Sequence, residues 1–305
     1  MNALKQKIVL ITGCASGLGF ALAKRISKNK NYKLVVTARK HHIDELKKEF
    51  VESEDLIVRD LDVTSEANIL SLVNEVANIW GRVDVLVNNA GICFRSVVEH
   101  MDRDSEMIQL QTNYLGPMTL IRSVLPIMRE QMYGQIINIS SVSGMVSMPT
   151  MASYSASKHA LEGASEALWY EAKPYGIRVT LVEPGFINSD SFNHTLYSKK
   201  AKLSNKLHGP HSEYYASMAP FIARLMKWAF ATPDSIAKRV ERVIESENPP
   251  LRVRATLDAK VFSLLRKLLP ESIFHKVMFI LLPGSRLWGH RSYFGQRVRA
   301  KKASA

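Results

Sequence analysis

Ile8-Val9-Leu10-Ile11-Thr12-Gly13-Cys14-Ala15-Ser16-Gly17-Leu18-Gly19 decides the fold of this chain. Four consecutive apolar residues read as a buried strand, and the amphipathic run Leu18 to Ser27 reads as a helix, so the glycines between them form a strand-to-helix turn. Gly13 permits the tight turn, while Gly17 and Gly19 let backbone and helix approach closely. The helix start offers free N–H groups and a positive dipole end, a cradle suited to a pyrophosphate, with Thr12 leading the turn and Ser16 and Leu18 completing it. Away from a strand and a helix, such a glycine pattern would be weak.

Working outward, Leu34 to Val36, Leu56 to Val58, Val83 to Val87, Gln135 to Ile139 and Ile177 to Val182 are further short apolar runs rich in Val and Ile. Ser65 to Trp80 and Ala152 to Lys173 carry helical periodicity between them. Alternation of this kind predicts an α/β fold, a doubly wound parallel sheet of Rossmann type, because near-continuous apolar strands require cover on both faces. No repeat or low-complexity linker divides the chain. The expected organisation is one domain over 1–256, with 186–230 as a substrate-covering insertion, and a basic, partly amphipathic extension over 257–305.

The second strand bears on which dinucleotide fits the cradle. An acidic residue about 20 positions after the glycines accepts from the ribose hydroxyls of NAD, whereas an arginine there suits a 2′-phosphate. Here the strand ends Val35-Val36-Thr37-Ala38-Arg39-Lys40, and no Asp or Glu occurs between Asn31 and Ile43. Arg39 therefore predicts NADP(H). The plainer reading is a basic surface loop.

Tyr154-Ser155-Ala156-Ser157-Lys158 places a phenol and an ammonium four residues apart, on one face of the same helix. A phenol ordinarily titrates near about 10, too high for efficient proton exchange at neutral pH. A neighbouring ammonium and a cationic nicotinamide favour the phenolate, so Lys158 is expected to lower the Tyr154 pKa and to bind ribose. Ser141 follows the apolar run 135–139, at the sheet edge where such folds bind ligands, and its hydroxyl can orient a carbonyl. Singly, these residues also read as a half-buried ring, a solvated charge and a helix cap.

Together they resemble the short-chain dehydrogenase/reductase family over roughly residues 5 to 190, through Thr12 to Gly19, Asp62-Val63, Asn88-Asn89-Ala90-Gly91, Asn113, Ser141, Tyr154, Lys158 and Pro184-Gly185. The resemblance implies adenine contacts from Asp62 and Val63 and a cofactor cleft lined by Asn88, Asn89, Ala90 and Gly91. It implies a relay water held by Asn113, and nicotinamide contacts from Pro184, Gly185, Ile187 and Ser189, the last standing where the family often has Thr. The implied catalytic set is Asn113, Ser141, Tyr154 and Lys158. The implied activity is that of an NADPH-dependent carbonyl reductase, or the reverse alcohol dehydrogenase, on a steroid, retinoid or 3-oxoacyl substrate. The rival from another class is a catalytically idle NADP(H)-binding scaffold or redox sensor docking through its tail. Two features depart from the family: Ser16 stands where some NADP-dependent members carry a basic residue, and roughly fifty residues follow the candidate last strand, Leu251 to Thr256. The second argues against the usual tetramer, and a homodimer is expected.

The 305 residues carry a formal charge of +13 with 46% hydrophobic content, a globular composition. From Asp190 onward there are 21 Lys and Arg against 8 Asp and Glu, and from Leu251 onward 12 against 2, so the basic surplus follows the candidate chemistry. No stretch matches a secretory signal or the roughly 18 to 20 apolar residues of a membrane span. With two cysteines, Cys14 and Cys93, the expected location is cytoplasmic. Leu257, Val261, Leu264, Leu265 and Leu268 fall at helical spacing among Lys260, Arg266 and Lys267. Two readings stay open there: peripheral contact with an anionic membrane, or a cap over the cleft or a dimer partner. Phe221, Leu225, Met226 and Trp228 likewise read as a wall for a lipophilic ligand or as core. Arg291, Arg297, Arg299, Lys301 and Lys302 accompany no nucleic-acid module, so no specific nucleic acid is expected. His41-His42 has no companion ligands, and no metal is expected.

Overall fold

The computed structural model describes residues 6–207, 209 and 211–289. The chain runs β1 (Lys7–Ile11), α1 (Gly17–Ile26), β2 (Tyr32–Ala38), α2 (Ile43–Glu49), β3 (Leu56–Asp60), α3 (Glu66–Trp80), β4 (Val85–Asn88), β5 (Phe94–Arg95), α4 (Arg103–Leu110), α5 (Gly116–Glu130) and β6 (Gly134–Ile139). It continues through α6 (Ala152–Ala172), β7 (Ile177–Glu183), β8 (Leu196–Tyr197), α7 (Lys199–Leu207), α8 (Ser212–Lys227), α9 (Pro233–Glu245), β9 (Arg252–Arg254), α10 (Leu257–Leu268) and α11 (Glu271–Leu281). Seven strands form one parallel sheet in the order β3-β2-β1-β4-β6-β7-β9. β5 and β8 make a small separate parallel pair.

Both faces of the sheet are covered, as the unbroken apolar strands require. Val9 and Ile11 face α1 and α9, packing among Leu22, Ile26, Ile236 and Val240. Ile8 and Leu10 face α3, α5 and α6, among Leu72, Val76, Leu120, Val124 and Leu168. Local signals set the helix ends. Ser65 accepts from the Asn68 amide to start α3, and Gly81, at φ 74°, ends it in the left-handed conformation a glycine tolerates. Thr232 and Ser235 form a reciprocal capping box ahead of α9, with Pro233 in the first helical position.

Sheet order reverses between β1 and β4, opening a crevice at their C-terminal ends. The 186–230 stretch is not structureless: α7 and α8 occupy most of it. Tyr215, Met218 and Ile222 turn inward from α8, whereas Trp228 is 73% exposed and Phe230 98% exposed. In α10 and α11 the apolar face is largely uncovered. Only Ala259 and Phe274 are buried there, and Leu257, Val261, Leu264, Leu268, Phe279, Ile280 and Leu281 are exposed. No helix among the described residues is long and apolar enough to cross a membrane. Arg291, Arg297, Arg299, Lys301 and Lys302 lie outside the described residues.

Candidate active site and nucleotide cleft

The glycine turn is held from below by its neighbours. Cys14 N–H donates to the Thr37 carbonyl (2.7 Å), and Thr37 Oγ1 donates to the Ile11 carbonyl (2.9 Å). Thr12 Oγ1 accepts from the amides of Asn89 and Ala90, both at 3.0 Å, while Asn89 Nδ2 donates to the carbonyls of Thr12 (2.8 Å) and Gly13 (3.0 Å). Thr12 and Asn89 thus tie the β1 and β4 loops into one wall. Gly13, at φ +72°, has no room for a side chain, since a Cβ there would sit 2.8 Å from Ala90 Cα. A Cβ on Gly19 would overlap the Gly13 carbonyl.

Ser16 is the residue before α1, yet its side chain makes no cap, and no acid occurs in the first turn. The α1 amides are therefore not satisfied by the Ser16 side chain, while Gly17, at φ +60°, has open space above it. This geometry fits a pyrophosphate at the helix start. Arg39 lies just beyond β2, exposed, and makes no salt bridge among the described residues. Asp62 is turned into its own loop, accepting from the backbone and hydroxyl of Thr64 at 2.9 and 2.7 Å, and Val63 packs beneath Gly116. Cys14 is fully buried, which pushes its thiol up to about 12, so it is an inert packing residue.

The candidate reacting groups come from β6, α6 and the turn before α5. Ser141 follows β6, and its Oγ accepts from the Ser143 amide at 3.1 Å. Tyr154, in the first turn of α6, lies beside the Ser141 hydroxyl, which acts to lower its pKa. Lys158 Nζ donates to the Ile139 carbonyl (2.8 Å) and lies 5.9 Å from the Tyr154 ring centroid. Asn113 occupies a single wide π-helical turn over Gln111–Leu115, a distortion frequent at functional sites. There its Oδ1 accepts from the Ile92 amide (2.9 Å) and its Nδ2 donates to the Ile92 carbonyl (2.9 Å) and Ser157 Oγ (3.1 Å). Asn113, Ser141, Tyr154 and Lys158 thus surround one end of the crevice, and Lys158 also approaches Gly91.

Electrostatics differ from the sequence expectation. Burial pushes the Tyr154 phenol well above its ordinary value, and Cys93 pushes the same way; the Ser141 hydrogen bond and the Arg95 charge oppose both. Lys158 is not among the groups that shift the phenol, and burial lowers its own pKa to about 8 against the opposing pull of Glu162.

Pro184 accepts from the Val142 amide at 2.7 Å, which joins the post-β7 loop to the Ser141 turn. Gly185 N–H donates to Thr256 Oγ1 (2.9 Å) and Phe186 N–H to Asp258 Oδ2 (2.8 Å), so the start of α10 backs this loop. Ile187 packs against the α1-side core, and Asn188, preceding Ser189, donates through its amide to the Ala231 carbonyl at 2.8 Å. Above Tyr154, Met151, Met218 and Ile222 form an apolar cluster with Cys93, Met148, Phe186, Phe221, Met226, Leu282 and Trp288. Phe221 and Met226 therefore pack in the cluster beside Tyr154. Trp228 does not.

Sequence reasoning missed a buried ionic layer under α6. Glu162 accepts from Ser140 Oγ (2.7 Å) and pairs with Arg252 (2.6 Å), which also reaches Glu166 and Glu183, both at 2.9 Å. The i, i+4, i+8 series Lys158, Glu162, Glu166 carried a signal for it. Arg252, from a distant strand, carried none.

The chain matches the family model described as short chain dehydrogenase over residues 7–200. It is 30% identical over 280 residues to the 3-ketodihydrosphingosine reductase of Bacteroides thetaiotaomicron, covering 91% of this chain and 98% of that protein. Among solved structures, a short-chain dehydrogenase from Streptomyces avermitilis superposes with a TM-score of 0.72 at 30% identity, over 89% of this chain and 98% of the other. ElxO with NADP bound superposes at 0.64 with 26% identity, over 82% and 95%. With the phosphate cradle, the Ser141–Tyr154–Lys158 cluster and the sheet in place, these matches make the chain a member of the short-chain dehydrogenase/reductase family and an NAD(P)-dependent oxidoreductase.

Proposed function

We propose that this protein reduces a ketone on a lipophilic molecule, of the steroid, retinoid or 3-oxoacyl class, using NADPH, and runs the reverse oxidation of the corresponding secondary alcohol. One observation carries this reading: a half-buried Tyr154 phenol beside the Ser141 hydroxyl, at the base of an apolar cluster. Thr12 to Gly19, Asp62 to Val63 and Asn89 to Gly91 would hold the dinucleotide, and Pro184 to Ile187 with Ser189 would flank its ring. When bound, the nicotinamide supplies the hydride. The chain's own part is proton delivery and orientation. The phenol carries its proton at neutral pH, and because an alkoxide is more basic than a phenolate even where burial raises the phenol's pKa, Tyr154 can protonate the developing alkoxide. Ser141 holds the carbonyl oxygen in reach of that proton. Asn113, anchored to both Ile92 and Ser157, supports a path for proton return past Lys158.

Arg39 supports the choice of NADP(H), as a guanidinium at the end of β2 with no carboxylate partner among the described residues. The bacterial relative's name, a reductase of a sphingoid ketone, supports a lipid substrate. The assembled catalytic cluster speaks against an idle scaffold. Tyr154→Phe tests the assignment. Turnover of ketones should fall by at least about 100-fold, with NADPH binding, read by fluorescence, nearly unchanged. Retained turnover would overturn it.

A second reading concerns location. The exposed row Val261, Leu264, Leu268, Phe279, Ile280 and Leu281 is flanked by exposed Lys260, Arg266, Lys267, Lys276 and Arg286. An apolar face rimmed with cations suits the surface of an anionic bilayer. Because Leu282 and Trp288 continue into the cluster over Tyr154, a bilayer there would lie near the cleft cover. Vesicles containing phosphatidylserine should co-sediment the wild-type protein, and Phe279→Glu with Ile280→Glu should release it. Equal sedimentation of both proteins, or a dimer that the substitutions dissolve, would refute membrane contact.

A further inference from the structure

We propose that Glu99, His100 and His211 form a site for a divalent transition metal, best suited to zinc, that ties the start of α8 to the body of the fold. Each offers a ligand atom, and the three atoms lie within 4.8 Å of one another. His211 Nε2 and Glu99 Oε2 are 2.7 Å apart, and the rings of His100 and His211 meet edge to face with centroids 5.3 Å apart. Tetrahedral zinc ligands stand a little over about 3 Å from one another, given bonds of roughly 2.0 to 2.1 Å. Small side-chain rotations would close the set around an ion.

Two observations point to a ligand rather than to a chance cluster. His100 is 7% exposed, and its Nδ1 lies 3.0 Å from the Tyr215 hydroxyl, which also accepts from the Val97 amide at 3.1 Å. A hydrogen-bonded outer partner on one imidazole nitrogen, leaving Nε2 for the metal, is the usual support of a metal-bound histidine. His211 sits at φ 64°, a left-handed conformation uncommon outside glycine, immediately before α8. Its side chain makes no helix cap and is directed to Glu99 instead. Observed backbone outliers of this kind cluster at functional sites and ligand clamps.

The donor set selects the metal. Two imidazoles and one carboxylate, with a position left for water, match zinc. Calcium and magnesium demand more oxygen ligands than this corner offers. Lys200 of α7 is a further charge acting on both Glu99 and His100, a cation that weakens the site. Glu99 and His100 precede α4, whereas His211 opens α8, whose Met218 and Ile222 pack over Tyr154. A bound ion would therefore clamp the cleft cover. It would act on substrate binding rather than on proton transfer, independently of which ketone is reduced.

Full-length protein stripped with EDTA and titrated with Co²⁺ supplies the test, through the visible absorption of the bound ion, followed by Zn²⁺ competition against a chromophoric chelator. One ion per chain is expected. His211→Ala and Glu99→Gln, both at the surface, should weaken binding at least 10-fold with an unchanged far-UV circular dichroism spectrum. Tyr215→Phe should weaken it about 10-fold through loss of the outer hydrogen bond. His42→Ala should leave it unaltered. Absence of stoichiometric binding, or binding that persists in His211→Ala, would overturn the proposal.

Discussion

Asp258 Oδ2 accepts from the Phe186 amide at 2.8 Å, so the first turn of α10 is bonded to the loop that leaves β7 beside the Ser141 turn. The same carboxylate fills the space a Cβ on Gly185 would need. Thr256 links the two segments a second time, accepting from Gly185 N–H while its Oγ1 also caps α10 by accepting from the Ala259 amide. The start of the C-terminal helices is thus part of the wall of the cleft.

Asp258→Ala should therefore affect both stability and cofactor binding. A hydrogen bond to an ionised group contributes about 1.5 to 3 kcal/mol, and urea unfolding should report a loss in that range. The Kd for NADPH should rise several-fold as the Phe186 loop loosens. Gly185→Ala should act in the same direction through steric overlap. An Asp258→Ala protein with wild-type stability and Kd would show that the bond does not order the loop.

Lys158 links pH to rate and to stability. Burial lowers its folded pKa to about 8, against about 10.4 for an unperturbed lysine. Between those values the unfolded chain binds more protons than the folded one, so the lysine's destabilising effect is full below pH 8 and is relieved as pH rises through that window. Relative to Lys158→Met, wild-type stability should gain about 3 kcal/mol from pH 7 to pH 10.5. Reduction should lose kcat/KM as pH rises past about 8, and Lys158→Arg, which stays charged, should abolish that limb. A limb that remains in the arginine variant would assign it to another group.

Arg252 holds three carboxylates. Glu162 is 5% exposed and Glu183 fully buried, so removing the guanidinium would leave Glu162 without its ion-pair partner and Glu183 with Arg254 alone. Breaking a buried pair from one side typically costs about 3 to 5 kcal/mol. Arg252→Met should fall in that range by denaturant unfolding. Because Glu162 also accepts from Ser140, next to Ser141, kcat should fall together with stability. A loss under about 1 kcal/mol would mean that solvent, through the partly exposed Arg252, supports the acids.

The layers of the molecule were unequally legible in sequence. The six expected strands all formed, because each is an apolar run closed by a turn or a cap, and the 251–256 segment supplied β9. The candidate catalytic cluster was legible because α6 holds Tyr154 and Lys158 at a fixed spacing and Ser141 follows a strand. The phenol's pKa was not, since burial by α8 and the residues after α11 depends on segments distant in sequence. Trp228 carried the same apolar signal as Phe221 but lies past the end of α8, in solvent. Contacts such as Asp258 to Phe186 have no local pattern at all.

Arg39 gives the sharpest test of cofactor choice. Its backbone is fixed where β2 ends, at φ −65° and ψ 148°, and its side chain is exposed, so a substitution should leave the fold intact. A guanidinium meeting a phosphate forms charge-assisted hydrogen bonds, each about twice as strong as a neutral pair. Arg39→Ala should thus raise KM for NADPH by about 10- to 100-fold, corresponding to about 1.4 to 2.8 kcal/mol, and leave KM for NADH within a factor of two. Arg39→Asp should go further and turn the preference to NADH, by repelling a 2′-phosphate and accepting from the ribose hydroxyls. Steady-state kinetics with both dinucleotides, on the same ketone, would read this directly. Equal losses with NADPH and NADH in Arg39→Ala would place the phosphate elsewhere and remove the basis for an NADP(H) preference.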